Sequence, residues 1–435
     1  MKLFGTMEIN NKGQLEIGGC NCLTLARNYG TPLYVVDEAE VRNQCKLYKS
    51  FFRSDSLRTE VIYASKAFLN IAMCKLVEEE GLSLDVVSGG ELYTALKAKF
   101  PKNRIYFHGN NKSEAELVIA VKSGVGRIVL DNKSEFRLLQ QVTKRLGKKA
   151  NVLLRVNPGI VAHTHEYIST TRHSSKFGES IFAEDIYSFI KEIYESPDIC
   201  FKGLHSHIGS QIFEEGSFLE LASVMLDFIQ AIRRKALVKT LELNLGGGFG
   251  VYYSDTDTPL DLPNFFERLL DEIYVKSKSL SLEPPKILIE PGRSIVANAG
   301  TTLYTVGGIK KTYDGKQFIF VDGSMADNIR PALYDSKHEL SLANRMNDKC
   351  KEEFAVTGKC CESGDILSKG FKLPTPNIGD LVAVSSTGAY NYSMASNYNR
   401  LTKPAVIFAK EGEAKVVVKR ETYEDLVKND VHLVD

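Results

Sequence analysis

Eight short apolar runs, most trailed by polar or glycine-rich residues and by a helical stretch, constrain this chain more than anything else in it. They are Val61–Ser65, Leu84–Ser88, Arg104–Gly109, Arg127–Asp131, Val152–Asn157, Phe201–His207, Leu241–Leu245 and Ile287–Glu290. Their β-branched and aromatic content is that of strands covered on both faces. Between them the apolar spacing turns helical, as in Glu91–Ala98, Glu135–Leu146, Asp185–Glu195, Phe218–Lys235 and Phe265–Lys276. Such alternation predicts an α/β fold, a (βα)8 TIM-type barrel; an open doubly wound sheet shares the period and differs only in closure.

After about Gly300 the rhythm changes. Thr301–Ile309, Gln317–Val321, Phe354–Gly358, Leu381–Val384, Ala405–Ala409 and Ala414–Lys419 read as short strands, with Asp314-Gly315 and Glu411-Gly412 as hairpin turns. The first 30 residues also read as β-rich, with Asn11-Lys12-Gly13 as a turn. The expected organisation is an N-terminal segment at 1–33, a barrel at 34–297, and a C-terminal β-domain (barrel or sandwich) at 298–435 completed by the N-terminal strands.

Composition excludes several function classes. A net charge of +1 across 435 residues provides no field to recruit nucleic acid or an anionic membrane. No apolar run approaches the roughly 18 residues of a membrane span, and the N-terminus has no signal-peptide core. The eight cysteines, among them Cys20, Cys22, Cys360 and Cys361, have no second pair at zinc-site spacing. No metal is expected, and a cytoplasmic protein with reduced thiols fits best.

The chemistry lies at the strands' C-terminal ends. Lys66 follows the first strand, where barrel enzymes place catalytic groups. Desolvated there, an amine loses its proton more easily and can form a Schiff base with a carbonyl. Alone, such a lysine is simply a solvated strand end. Gly246-Gly247-Gly248 follows the seventh strand and Gly292-Arg293 the eighth, the loops where these barrels bind phosphate; Ser210 can add a hydroxyl. A phosphate cradle and a Schiff-base lysine on one rim point together to pyridoxal 5'-phosphate. Glu290 can then face the pyridine nitrogen and keep it protonated, and His207 can stack on the ring. His205 points to the same strand face as His207, while Asp85 and Arg155 belong to the surrounding charges.

The strings Tyr63-Ala64-Ser65-Lys66-Ala67, His207-Ile208-Gly209-Ser210, Gly246-Gly247-Gly248, Glu290-Pro291-Gly292-Arg293, Cys361-Glu362-Ser363-Gly364-Asp365 and Gly388-Ala389-Tyr390 occur in order. In this the chain resembles the fold-type III pyridoxal phosphate decarboxylases from about Thr31 to Lys419. Asn157-Pro158, Tyr167-Ile168-Ser169-Thr170, Lys176-Phe177-Gly178, Arg330-Pro331-Ala332-Leu333-Tyr334 and Cys361-Glu362-Ser363 resemble the diaminopimelate branch; ornithine-type relatives have Cys-Asp in place of the last. The resemblance implies decarboxylation of meso-2,6-diaminopimelate to L-lysine, the last step of lysine biosynthesis. It gives Arg293, Arg330 and Tyr334 the substrate's distal carboxylate, Glu362 the distal ammonium, Tyr390 a place at cofactor and substrate, and Cys361 the proton donor's role. It further implies a homodimer in which Cys361, Glu362 and Tyr390 complete the partner's site. Asn391 stands where many relatives have glycine.

Other readings stay open. Related decarboxylases act on carboxynorspermidine, arginine or a carrier-bound amino acid. A metal-dependent hydrolase could use His205-x-His207 and His163-x-His165, though it leaves Lys66 and the glycine cradle unexplained. Non-catalytic pyridoxal phosphate-binding proteins lack the β-domain, and alanine racemase would have arginine in place of Glu290.

Overall fold

The computed structural model describes residues 1–160 and 175–433. The chain divides into two compact units, one of Gln44–Gly250 with Thr258–Ser294, the other of Met1–Asn43 with Val251–Asp257 and Ile295–Asp435. Strands are numbered along the chain. β1 (Glu8–Ile9), β2 (Leu15–Ile17), β3 (Cys20–Asn21) and β4 (Leu33–Asp37) come first. Then follow β5 (Thr59–Ala64), β6 (Ser83–Val86), β7 (Ile105–Phe107), β8 (Arg127–Leu130), β9 (Ala150–Asn157), the short β10 (Glu179–Ser180), β11 (Ile199–His205), β12 (Glu242–Asn244) and β13 (Lys286–Ile289).

The first unit is the barrel. Parallel pairing runs from β5 through β6, β7, β8, β9, β11, β12 and β13 and returns to β5, so the sheet closes. Ile62, Tyr106, Val129, Leu153 and Leu288 fill its interior. At the strands' N-terminal ends Glu60 accepts from Lys286, Ser83 and Tyr106, and Arg127 grips Glu242 with both arms of its fork. That floor is structural, as the N-terminal face of such barrels generally is. Outside, Phe249 stacks on Phe218 at 5.0 Å and meets Phe266 edge-on at 5.6 Å. These rings anchor the loop after β12 to the helices Glu215–Lys235 and Leu262–Ser279.

The second unit is built on β14 (Gly300–Lys311), β15 (Gln317–Val321), β16 (Leu340–Leu342), β17 (Glu352–Thr357), β18 (Ile366–Leu373), β19 (Leu381–Val384), β20 (Ala405–Lys410) and β21 (Glu413–Val418). Its main sheet runs β18-β17-β15-β14-β4-β20-β21, with β19 joining β14 to β16. Successive residues feed opposite faces: Leu303 and Ala383 enter one core with Leu15, Ile17 and Ile407, whereas Tyr304 and Val382 enter another with Ile319 and Phe354. β4 lies mid-sheet, so the expected boundary at 33/34 falls inside this unit's strand. The expected β-rich start holds a helix, Cys22–Tyr29, that Asn21 caps by accepting from the Leu23 and Thr24 amides. No described helix is long and apolar enough to cross a membrane.

Candidate active site

Because all eight barrel strands run parallel, the loops after them share one rim. Lys66 sits in a 3-10 turn, Ser65–Ala67, directly after β5. Its side chain is exposed, so the chain's own packing does not supply the desolvation expected from the sequence. The turn is held by Glu91, whose Oε2 accepts from Ser65 Oγ at 2.8 Å and from the Val87 amide at 2.7 Å. Gly292 is required beside it: a Cβ there would lie 2.9 Å from Ala64 Cβ and from its carbonyl oxygen.

The loops after β11 and β12 are zipped together. The Ile212 amide donates to the Gly248 carbonyl and the Gly250 amide to the Ile212 carbonyl, each at 3.0 Å. Gly246 and Gly248 have φ of 70° and 116°, and a Cβ on Gly247 would lie 2.1 Å from the Glu290 carbonyl. The Gly246 amide donates inside the protein, to Asn244 Oδ1 at 2.9 Å, and the Gly247 amide reaches His207 Nδ1 at 3.3 Å. Beside this loop the buried Arg293 donates to Ser210 Oγ through Nε at 3.1 Å and Nη2 at 3.0 Å. Guanidinium and hydroxyl thus meet in one small region suited to an oxyanion, whereas the Gly246 and Gly247 amides expected to face it are already engaged inside the protein.

Glu290, the residue directly after β13, is buried. Its Oε1 accepts from Asn244 Nδ2 at 2.8 Å, and its Oε2 lies 3.0 Å from His205 Nε2. Nε2 of His108, after β7, lies 2.8 Å from Oε1, bent off the ideal hydrogen-bond line. Burial opposes the charge of Glu290, but the two histidines outweigh it and hold the carboxyl well below the usual range. Burial pushes His205 down to about 4. His207 is also pushed well below an ordinary imidazole, by burial first and then by Lys66 and Arg155. Asp85 is raised to about 6 by burial, opposed by His108. The rim therefore holds one secured carboxylate, neutral imidazoles at neutral pH, and an exposed amine.

In the second unit Arg330 is buried at the start of the short helix Arg330–Tyr334. Its guanidinium lies 5.2 Å from the Tyr334 ring centroid and 5.7 Å from those of Tyr253 and Tyr390. Tyr390 adopts φ 62°. The adjacent cysteines differ sharply. Cys360 is buried, its thiol raised by that burial, whereas Cys361 is exposed and its amide donates to Asn399 Oδ1 at 2.8 Å. Of the two thiols, only that of Cys361 is accessible to solvent. Glu362 is exposed too, with the Tyr398 hydroxyl 3.4 Å from its Oε2.

Residues 38–297 match the pyridoxal binding domain of the pyridoxal-dependent decarboxylases. The chain belongs to that family. It is 49% identical over 431 residues to the diaminopimelate decarboxylase of Bacillus subtilis, covering 99% of this chain and 98% of that one. With the diaminopimelate decarboxylase of Staphylococcus aureus it shares 43% over 426 residues, 98% and 99% of the two chains. Among solved structures, diaminopimelate decarboxylase from M. jannaschii superimposes with a TM-score of 0.91 at 32% identity over 98% of each chain. The same enzyme in complex with L-lysine gives 0.90.

The rim fits this family's cofactor. Lys66 offers an accessible amine, Ser210 and Arg293 adjacent donors, and Glu290 a secured anion. Of the residues singled out from sequence, Lys66, Asp85, His207, Ser210, Gly246, Gly247, Gly248, Glu290, Gly292 and Arg293 belong to the barrel unit. Arg330, Tyr334, Cys361, Glu362 and Tyr390 belong to the other. His163, His165 and the Tyr167–Thr170 string lie outside the described residues. Sequence reasoning missed Asn244 and the role of His108; the only signal was their position in or just after a barrel strand. His108, His205 and Glu290 also place three donor atoms within 4.8 Å of one another, a set that a divalent ion could use.

Proposed function

We propose that this chain, with pyridoxal 5'-phosphate, decarboxylates meso-2,6-diaminopimelate to L-lysine and carbon dioxide, the last step of lysine biosynthesis. The observation that carries the reading is one rim presenting Lys66, the Ser210–Arg293 pair and the secured Glu290 in a member of the pyridoxal-dependent decarboxylases. Full-length likeness to relatives named for diaminopimelate supports the substrate.

Lys66 would hold the cofactor through its exposed ε-amine. Ser210, Gly246, Gly247, Gly248, Gly292 and Arg293, with Tyr390 contributing, would hold the phosphate. His207, whose pKa is pushed well below an ordinary imidazole, would lie against the ring, and Asp85 would belong to the surrounding charges. Bound there, the cofactor supplies an electron sink for the pair left by the departing carboxylate. Glu290 keeps that sink protonated. Arg293, Arg330 and Tyr334 bind the distal carboxylate, since a guanidinium fork takes both oxygens at once. Glu362 takes the distal ammonium, and Cys361 returns a proton to the α-carbon. The working unit is a cytoplasmic homodimer in which Cys361, Glu362 and Tyr390 of one chain complete the other chain's site.

The His108–His205–Glu290 donors favour a second reading, a metal-dependent hydrolase. A metal leaves Lys66 and the glycine loop without a role. One experiment separates these readings: supply the purified protein with pyridoxal phosphate and assay carbon dioxide release from diaminopimelate, ornithine, arginine and carboxynorspermidine. Release from diaminopimelate alone is expected. Activity that requires added zinc and ignores pyridoxal phosphate would overturn the proposal.

A further inference from the structure

Before any cofactor is considered, Glu290 accepts from two strand-end donors, Asn244 and His205, and His108 lies close against it without a well-aligned hydrogen bond. Asn244 comes from β12, His205 from β11 and His108 from the residue after β7, at 2.8, 3.0 and 2.8 Å. All four side chains are buried. The two imidazoles meet edge to face, centroids 4.8 Å apart at 73°. Asn244 cannot turn over without loss, because its Oδ1 already accepts the Gly246 amide. His205 must carry its proton on Nε2 to donate to Glu290, leaving Nδ1 as the unprotonated nitrogen.

We propose that His108 is a positioning residue for Glu290: with Asn244 and His205 it fixes the carboxylate's rotation and keeps it ionised opposite the pyridine nitrogen. The inference rests on the pyridoxal phosphate reading and goes beyond it. A lone buried carboxylate would tend to take up a proton. Asn244 and His205 supply one donor to each oxygen, and His108 brings a second charge-stabilising dipole to Oε1. Other charged or titratable groups facing the cluster are Lys66 after β5, Asp85 on β6, Arg155 on β9 and His207 after β11.

The test compares His108→Leu, which removes the donor, with His108→Gln, which keeps an N–H at similar reach. Both are made in the cofactor-loaded enzyme and read by kcat, KM and the pH midpoint of the bound cofactor's visible band. Without His108 the carboxylate binds a proton more readily and takes it from the ring. A ring with one positive charge fewer lets the Lys66 linkage hold its proton to higher pH. His108→Leu should lower kcat roughly ten- to a hundredfold with KM within about threefold, and move the midpoint upward. His108→Gln should restore both measures most of the way. If the leucine variant does not fold, His108→Asn, whose amide is retracted, should show the same losses. A parental kcat and midpoint in the leucine or asparagine variant, or equal impairment of Leu and Gln, would overturn the inference alone. A parent protein with no visible band after pyridoxal phosphate is added would overturn the cofactor reading, and the inference with it.

Discussion

At the scale of single residues, the role proposed for Glu290 requires its charge, which His108 and His205 favour against the cost of burial. Glu290→Gln retains the shape and the Lys66 linkage but removes the charge that protonates the sink. Turnover should fall by two to three orders, roughly 3–4 kcal/mol of barrier, while cofactor affinity measured by fluorescence quenching changes far less. Turnover within about threefold of the parent would make Glu290 merely structural. Lys66→Ala should abolish both turnover and the borohydride-trappable link to pyridoxal phosphate; a surviving link would assign the cofactor to another lysine. The histidines also predict a pH effect on the cofactor-free protein. His205 has its pKa depressed from 6.5 to about 4, and His207 is depressed as well. The unfolded chain therefore binds more protons than the folded one between those values, and stability must rise with pH across that window. Going down from pH 6.5 toward 4, each histidine should remove up to about 1.4 kcal/mol per pH unit. Thermal unfolding at pH 6.5, 5.5 and 4.5 measures it, and a flat melting temperature would contradict the assignment of both rings as neutral in the folded protein.

At the scale of elements, the loop after β7 is pinned by Lys112. Its Nζ donates to the Gly109 carbonyl at 2.8 Å, the Val129 carbonyl at 2.7 Å and Glu135 Oε1 at 2.7 Å, with both side chains buried. Lys112→Met leaves the Glu135 carboxylate uncompensated and should cost about 3–5 kcal/mol in chemical denaturation, whereas Lys112→Met with Glu135→Leu should recover much of that. No recovery in the double variant would mean that the backbone bonds, not the ion pair, carry the effect. The eight barrel strands were legible in the sequence because strands covered on both faces are continuous apolar runs. The Glu411-Gly412 turn was legible for a local reason: both residues adopt positive φ, 51° and 81°, which a two-residue hairpin demands. β18 was missed because Ser368, Lys369, Gly370 and Lys372 break its pattern on an exposed face. The helix at Cys22–Tyr29 was missed because its signals are local caps, Asn21 and Gly30, inside a segment bordered by strands. Asn244 and His108 were illegible as a pair for a deeper reason. Their convergence on Glu290 depends on barrel closure, which no local spacing encodes.

At the scale of the whole molecule, the proposed reaction needs residues from both units, and in the proposed dimer from both chains. A guanidinium fork makes two charge-assisted bonds to a carboxylate, so if Arg330 binds the distal carboxylate as proposed, lysine and ornithine, which have none, forgo those bonds. The enzyme should therefore prefer diaminopimelate by a large factor in kcat/KM, and Arg330→Lys should shrink that factor more than it lowers cofactor binding. The dimer can be tested independently of substrate choice. Lys66→Ala and Cys361→Ala should each be inactive alone. If Cys361 serves the partner's site, a mixed dimer holds one site with both defects and one with neither. Random exchange makes half the dimers mixed, each with one intact site of two, so activity should return to about a quarter of the parent's. Exchange is verified with differently tagged chains before activity is read. Verified exchange without recovery would place Lys66 and Cys361 of the same chain in one site, and the shared-site dimer would fall while the decarboxylase reading stood.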